Sequence, residues 1–156
     1  MKKTFTLTAL WTALGLLGGL AYREITKAAD FTGTTQLAVV HTHLLTLGTI
    51  VGLVLLVLDR SFGLSRFRRT FTAGLATWNL GLAVSTAMMF VHGLAQVNGT
   101  EVSAAVPGIA GLGHMLLTAG FVLFFVALGR SLQTDAGTAS PAVTTAATAP
   151  TANTVH

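Results

Sequence analysis

Four long apolar stretches, separated by short polar segments, dominate the pattern of the 156-residue chain. A helix needs about 20 consecutive apolar residues to cross a bilayer, and each stretch meets or nearly meets that length. The pattern predicts four transmembrane helices, at residues 5–22, 37–58, 71–97 and 106–128. Because the connections are short, consecutive helices should be antiparallel neighbours. We therefore expect an all-α fold, an integral membrane up-down four-helix bundle over residues 1–130.

The chain after residue 130 differs from the four spans. Residues 131–156 read SLQTDAGTASPAVTTAATAPTANTVH and are rich in Ala, Thr and Pro. Such a segment cannot bury a hydrophobic core, so we expect a disordered C-terminal tail in which His156 is only the terminal residue.

The first span has a second interpretation. MKKTFTLTALWTALGLLGGLAY begins with basic residues and continues as an apolar stretch, which is also the form of a signal peptide. No small-x-small cleavage site follows directly and the stretch is long, so the sequence favours a retained span. Cleavage would leave the other three spans oriented as before.

The composition argues against a water-soluble domain. The chain is 52% hydrophobic and 9% charged, whereas a soluble domain carries about 25% charged residues. A nucleic-acid-binding protein would present a basic stripe on a soluble face, which is absent here. The chain has no cysteine, so disulfides, thiolate metal sites and covalent c-type haem are excluded.

Basic residues are distributed unevenly between the two ends of the predicted bundle. Arg23 and Lys27 lie at one end. At the other end are Lys2, Lys3, Arg60, Arg66, Arg68, Arg69 and Arg130. Loops rich in Lys and Arg stay in the cytoplasm. The asymmetry predicts cytoplasmic N- and C-termini and a cytoplasmic loop between spans two and three.

Four histidines fall inside the predicted spans: His41 and His43 in span two, His92 in span three and His114 in span four. At 1.5 Å rise per residue, all four should lie roughly 6 to 12 Å below the outer surface. Ionisable side chains inside spans usually face the bundle interior and mark function. Their common depth predicts a histidine layer in the outer third of the bilayer. The alternative is that each histidine only hydrogen-bonds a neighbouring helix.

Helix geometry limits how the first two histidines can cooperate. Residues two apart on an α-helix point about 200° from each other. His41 and His43 should therefore face different neighbours unless the helix is distorted there. His41 shares its face with Gly48 and Gly52, a pair that suits either a flat cofactor or ordinary helix packing.

Two imidazoles on facing helices suit haem iron. The leading hypothesis is a b-type haem with His43 and His114 as its axial pair, and with His41 and His92 beside it or as a second pair. The haem would serve electron transfer, redox sensing or oxidase assembly.

Tyr22 and Arg23, at the outer end of span one, are candidate cofactor-binding residues. They could bind an anionic group at the mouth of the histidine layer, a depth that fits haem propionates. Alternatively, they are an aromatic-belt residue and an interfacial anchor, and Arg23 only pairs with Glu24.

Two other classes of function remain open. One is a copper or zinc protein with three imidazole ligands, to which Met88, Met89 or Met115 could contribute. The other is a structural or assembly protein without a cofactor, in which the histidines only join helices. In each case a respiratory or redox membrane complex is a candidate partner, and Gly15-x-x-x-Gly19 could form the seam of a homo-oligomer or pack equally well within one chain. We expect no independent catalytic activity, because the spans hold neither a carboxylate pair nor a nucleophile beside a base.

Two resemblances add to these expectations. The pattern YREITK…DFTG.TQL…HTHL..LG…HG…GIAGLGH resembles a family of small bacterial four-span membrane proteins, the domain-of-unknown-function 2871 family, over nearly all of the chain except the tail. The resemblance implies a multi-pass protein of the bacterial plasma membrane. Separately, HTHLLTLG is similar to the HAHLxLLG stretch of short membrane proteins related to haem-copper oxidase subunit I. That similarity implies a haem- or copper-binding histidine layer near the outer face.

Overall fold

The computed structural model describes residues 1–138, with side chains described through Thr134. The described chain forms four long helices, each long and apolar enough to cross a membrane: α1 (Lys2–Ala28), α2 (Leu37–Phe62), α3 (Arg68–Val97) and α4 (Ala105–Thr138). A short 3₁₀ turn, Leu64–Arg66, connects α2 to α3. The all-α, four-span prediction is confirmed.

The helices extend beyond the predicted apolar stretches. The longest extension is at the end of α4, which continues to Thr138. Ser131 explains part of this extension, because it is fully buried and its hydroxyl donates to the Phe62 carbonyl at the end of α2. The predicted disorder of residues 139–156 lies outside the described residues.

Two connections, residues 29–36 and 98–104, lie at the same end of the bundle, which we call the upper end. There the start of α2 is tied to the end of α3. The Thr35 hydroxyl donates to the Gly93 carbonyl at 2.8 Å, and the Gln36 backbone N–H donates to Gln96 Oε1 at 2.7 Å.

Helix α2 is not a regular α-helix throughout. Residues Leu44–Ile50 form a π-helical segment that begins directly after His43. Wider turns of this kind are rare and are frequent at functional sites. One hydrogen bond, between the Thr12 and Thr49 hydroxyls at 2.9 Å, joins this segment to α1.

Glycines bring α1 and α2 into close contact. A Cβ atom at Gly48 would overlap Trp11, and one at Gly52 would overlap Thr8. Gly15 of α1 packs in the same way on Leu45. Of the two roles predicted for the Gly48 and Gly52 pair, the structure therefore shows helix packing.

Helices α3 and α4 form the second close pair. A Cβ atom at Gly81 would lie 2.7 Å from the Gly113 carbonyl oxygen, and one at Gly113 would lie 2.7 Å from the Ser85 nitrogen. Helix α2 joins the two pairs by packing on α3, and its closest backbone approach to α4 is in its lower half, in the segment from Val51 to Phe62. The backbones of the upper parts of α2 and α4 therefore stand further apart.

Candidate functional site

The four histidines of the spans all lie near the upper end of their helices. The smallest separation is four residues, from Leu37 to His41, and the largest is nine, from Ala105 to His114. At 1.5 Å per residue these separations correspond to depths of about 6 to 14 Å. The structure thus places four imidazoles in one layer of the bundle.

Three of the four histidines line one cavity of about 410 Å³, where the upper parts of α2 and α4 stand apart and α3 forms the back wall. We call it the histidine cavity. Its lining residues are Gln36, Val39, His43, Met88, Met89, His92, Val106, Pro107, Ala110, Gly111 and His114. The cavity joins residues from three helices that are far apart in sequence.

The His43 and His114 rings approach each other in this cavity. Their ring centres are 6.1 Å apart and their ring planes cross at 79°. An imidazole nitrogen binds a transition metal at about 2 Å, so two imidazoles on opposite sides of one ion have ring centres about 6 Å apart. The observed separation therefore suits a metal held between the two rings.

A backbone contact orients the His114 ring and indicates its tautomer. Its Nδ1 lies 2.9 Å from the Ala110 carbonyl oxygen, one turn earlier in α4. A carbonyl oxygen can only accept, so Nδ1 carries the proton and donates, and Nε2 of the neutral ring keeps its lone pair. A bond of this kind from the second ring nitrogen is the usual support of a metal-binding histidine.

His92 lines the same cavity but is not a third ligand in this arrangement. Among the residues that the structure describes, no group of three or more His, Asp or Glu side chains is close enough to hold a metal ion. Met88 and Met89 line the cavity beside His92, whereas Met115 lies outside it and is 68% exposed.

His41 points to the other side of α2. Its ring is stacked on Tyr22 of α1, with centres 6.4 Å apart and planes 13° from parallel. Gly18 and Gly19 of α1 border the same residue. Its Nδ1 is buried and has no hydrogen-bond partner among residues 1–138. As helix geometry predicts, His41 and His43 face different neighbours, and the distortion of α2 after His43 does not bring them together.

Tyr22 and Arg23 are not brought to the histidine cavity. Tyr22 contacts His41, and Arg23 forms an exposed ion pair with Glu24. Neither residue lines the cavity that contains His43 and His114. That Tyr22 and Arg23 bind an anionic group stays a prediction, and such an anion site would lie outside the histidine cavity.

The sequence interpretation overlooked Gln36 and the first turn of α4. Gln36 lies seven residues before His43, on the same face of the helix, and borders the cavity from above. Val106 and Pro107 border it from α4. The seven-residue spacing between Gln36 and His43 could have identified Gln36 as a cavity residue from the sequence. The presence of Val106 and Pro107 in the cavity wall depends on how the helices pack.

The fold and the cavity define this protein as a multi-pass helical membrane protein with a histidine-lined cavity near one end of its spans. The chain belongs to the family described as Protein of unknown function (DUF2871), whose model matches residues 1–131. That match confirms the predicted family and covers all four spans. No curated protein and no solved structure matches the chain, and the similarity to oxidase-related proteins receives no support.

Proposed function

We propose that this protein binds a b-type haem in the histidine cavity, with His43 and His114 as axial ligands. The observation that carries the proposal is the opposed pair of imidazoles, 6.1 Å apart, of which His114 is held with Nε2 free by the Ala110 carbonyl. A bound haem would supply one-electron chemistry, whose potential the two imidazole ligands would tune.

The number of available ligands favours haem over a bare metal ion. A porphyrin supplies four nitrogen ligands and needs only two from the protein, which His43 and His114 provide. Structural zinc sites need four protein ligands and catalytic ones need three. The described residues contain no group of three His, Asp or Glu side chains that could hold a metal ion.

The surroundings of the pair also suit a flat ligand. Gly111 lies one turn above His114 and has no atom within 4 Å of the place where a Cβ would be. Ala110 and Gly111 together leave space beside the His114 ring, and the apolar side chains of Val39 and Met89 would exclude water from the opposite edge. In the proposed complex, Val39, Met89, Ala110 and Gly111 would contact the porphyrin and orient it, and His43 and His114 would bind its iron.

The first prediction tests this assignment. The full chain, purified in detergent from haem-replete cells, should show the Soret band and the visible bands of a six-coordinate haem. His43→Ala and His114→Ala should each remove or strongly weaken them. His41→Ala is the matched control, because it deletes an imidazole at the same depth outside the cavity. A preparation that stays colourless after reconstitution with haem would contradict the proposal.

Copper or zinc binding is the second candidate function. It is favoured by Met88, Met89 and His92, which border the same cavity and carry the sulfur and imidazole donors that suit these metals. Stoichiometric copper or zinc in the purified protein, without a Soret band, would support this function. A chain without haem or metal would leave a structural or assembly role.

A further inference from the structure

His92 shares the histidine cavity with the proposed axial pair but lies nearer its upper mouth. The close contacts of Gly113 with Ser85 and of Gly120 with Trp78 set the register of α3 and α4, and in that register His92 lies about eight residues above His114. Eight residues correspond to about 12 Å along the helices. Gln36 and the first turn of α4 lie at the same mouth.

The cavity has few polar groups to receive the anionic substituents of a ligand. Among the described residues, neither Lys nor Arg lines it. Arg23 faces Glu24 and lies on the α1 side of the bundle. Apart from the proposed axial pair, the polar side chains that line the cavity are His92 and Gln36, and both lie at its upper mouth.

We propose that His92 determines the specificity of this site by donating a ring N–H to a carboxylate of the bound ligand, and that it does not bind the metal. The proposal rests on the proposed function and names the ligand class: a planar metal chelate with carboxylates along one edge. That edge would face the upper mouth. A neutral imidazole always has one N–H donor, and its hydrogen bond to a carboxylate is charge-assisted.

The N-terminus of α4 also favours a carboxylate at the upper mouth of the cavity. The N-terminus of a helix carries a partial positive charge and favours negative groups within its first turn. Val106 and Pro107, in the first turn of α4, border the mouth beside His92. A carboxylate at this mouth would therefore meet both a hydrogen-bond donor and a favourable dipole.

The experiment compares two ligands that differ only in their carboxylates. The full chain in detergent is titrated with haem and with haem dimethyl ester, in which both carboxylates are esterified. His92→Leu should weaken haem binding about tenfold, the loss expected for one hydrogen bond to a charged group. It should weaken binding of the ester much less, because a neutral ester carbonyl accepts a weaker hydrogen bond than a carboxylate does. His92→Gln keeps an N–H donor and should restore most of the haem affinity, and neither variant should change the six-coordinate spectrum.

Arg23→Ala is the control for the other candidate anion site and should leave both affinities unchanged. An equal loss of haem and ester in His92→Leu would overturn the inference, because His92 would then act as a metal ligand or only support the fold. Unchanged haem affinity in His92→Leu, or a loss of haem but not ester in Arg23→Ala, would also overturn it. Failure of the wild type to bind either compound would instead overturn the proposed function, and the inference with it.

Discussion

The hydrogen bond between His114 Nδ1 and the Ala110 carbonyl determines which ring nitrogen can bind a ligand. Single contacts also determine which residues fit where α1 packs on α2, at the glycines. Gly48 lies where a side chain would overlap Trp11, whose own Nε1–H donates to Asn79 Oδ1 of α3 at 2.6 Å. Trp11 is therefore held on two sides and cannot easily make room.

The second prediction concerns this glycine. Gly48→Val should destabilise the folded protein by about 1 to 3 kcal/mol, the usual cost of overpacking a tight contact. The measurement is thermal unfolding in detergent, followed by the loss of helical circular dichroism.

Gly108→Ala is the matched control, because no atom lies within 4 Å of the place where its Cβ would be and alanine favours the helix. It should leave the melting temperature unchanged or raise it. Equal melting temperatures for Gly48→Val and wild type would show that α1 and α2 do not pack as described.

At the scale of elements, α2 decides which histidine reaches the cavity. Its upper end is tied to α3 by Thr35 and Gln36, and its middle is tied to α1 by Thr49. Between these anchors the helix widens into the π-helical segment, which directly follows His43. The two anchors therefore set the rotation of the turn that contains His41 and His43.

The third prediction tests that rotation with pairs of introduced cysteines, which is clean because the chain has none of its own. A short bifunctional thiol reagent should join the pair His43→Cys with His114→Cys in membranes. It should not join His41→Cys with His114→Cys.

The pair His41→Cys with Gly19→Cys provides the positive control, because Gly19 borders the His41 ring. Joining of position 41 to position 114, with no product for positions 43 and 114, would show that α2 is rotated the other way.

At the scale of the whole molecule, the histidine layer lies at one end of the bundle and the arginine-rich connection at the other. Asp59, a buried residue in the last turn of α2, accepts the Ser65 N–H at its Oδ1 at 2.7 Å. Gly63 ends α2 in the left-handed conformation, with φ 66°. The turn that follows α2 and contains Arg66 is thus well defined at the lower end.

The fourth prediction concerns orientation, which follows from the charge asymmetry and not from the fold. A topology reporter fused after Gly99 should be external, and one fused after Arg66 should be cytoplasmic, because Lys and Arg resist translocation. Reversed locations would put the histidine cavity at the cytoplasmic side of the membrane.

The sequence by itself determined the class of the fold, the number of spans and the location of the four histidines near the same end of their spans. These properties follow from hydropathy and distance along the chain, and both can be read without knowing how the helices pack. The opposite directions of His41 and His43 also follow from the helical repeat alone.

Only the tertiary structure decided which residues meet. The separation of α2 from α4, the inclusion of Gln36 and the exclusion of Tyr22 and Arg23 from the cavity depend on the rotation of each helix about its axis. Close contacts of small residues and a few hydrogen bonds between helices set those rotations, since lipid offers apolar side chains about the same environment as a neighbouring helix. Hydropathy along the chain therefore predicts the depth of a residue, whereas packing determines its partner.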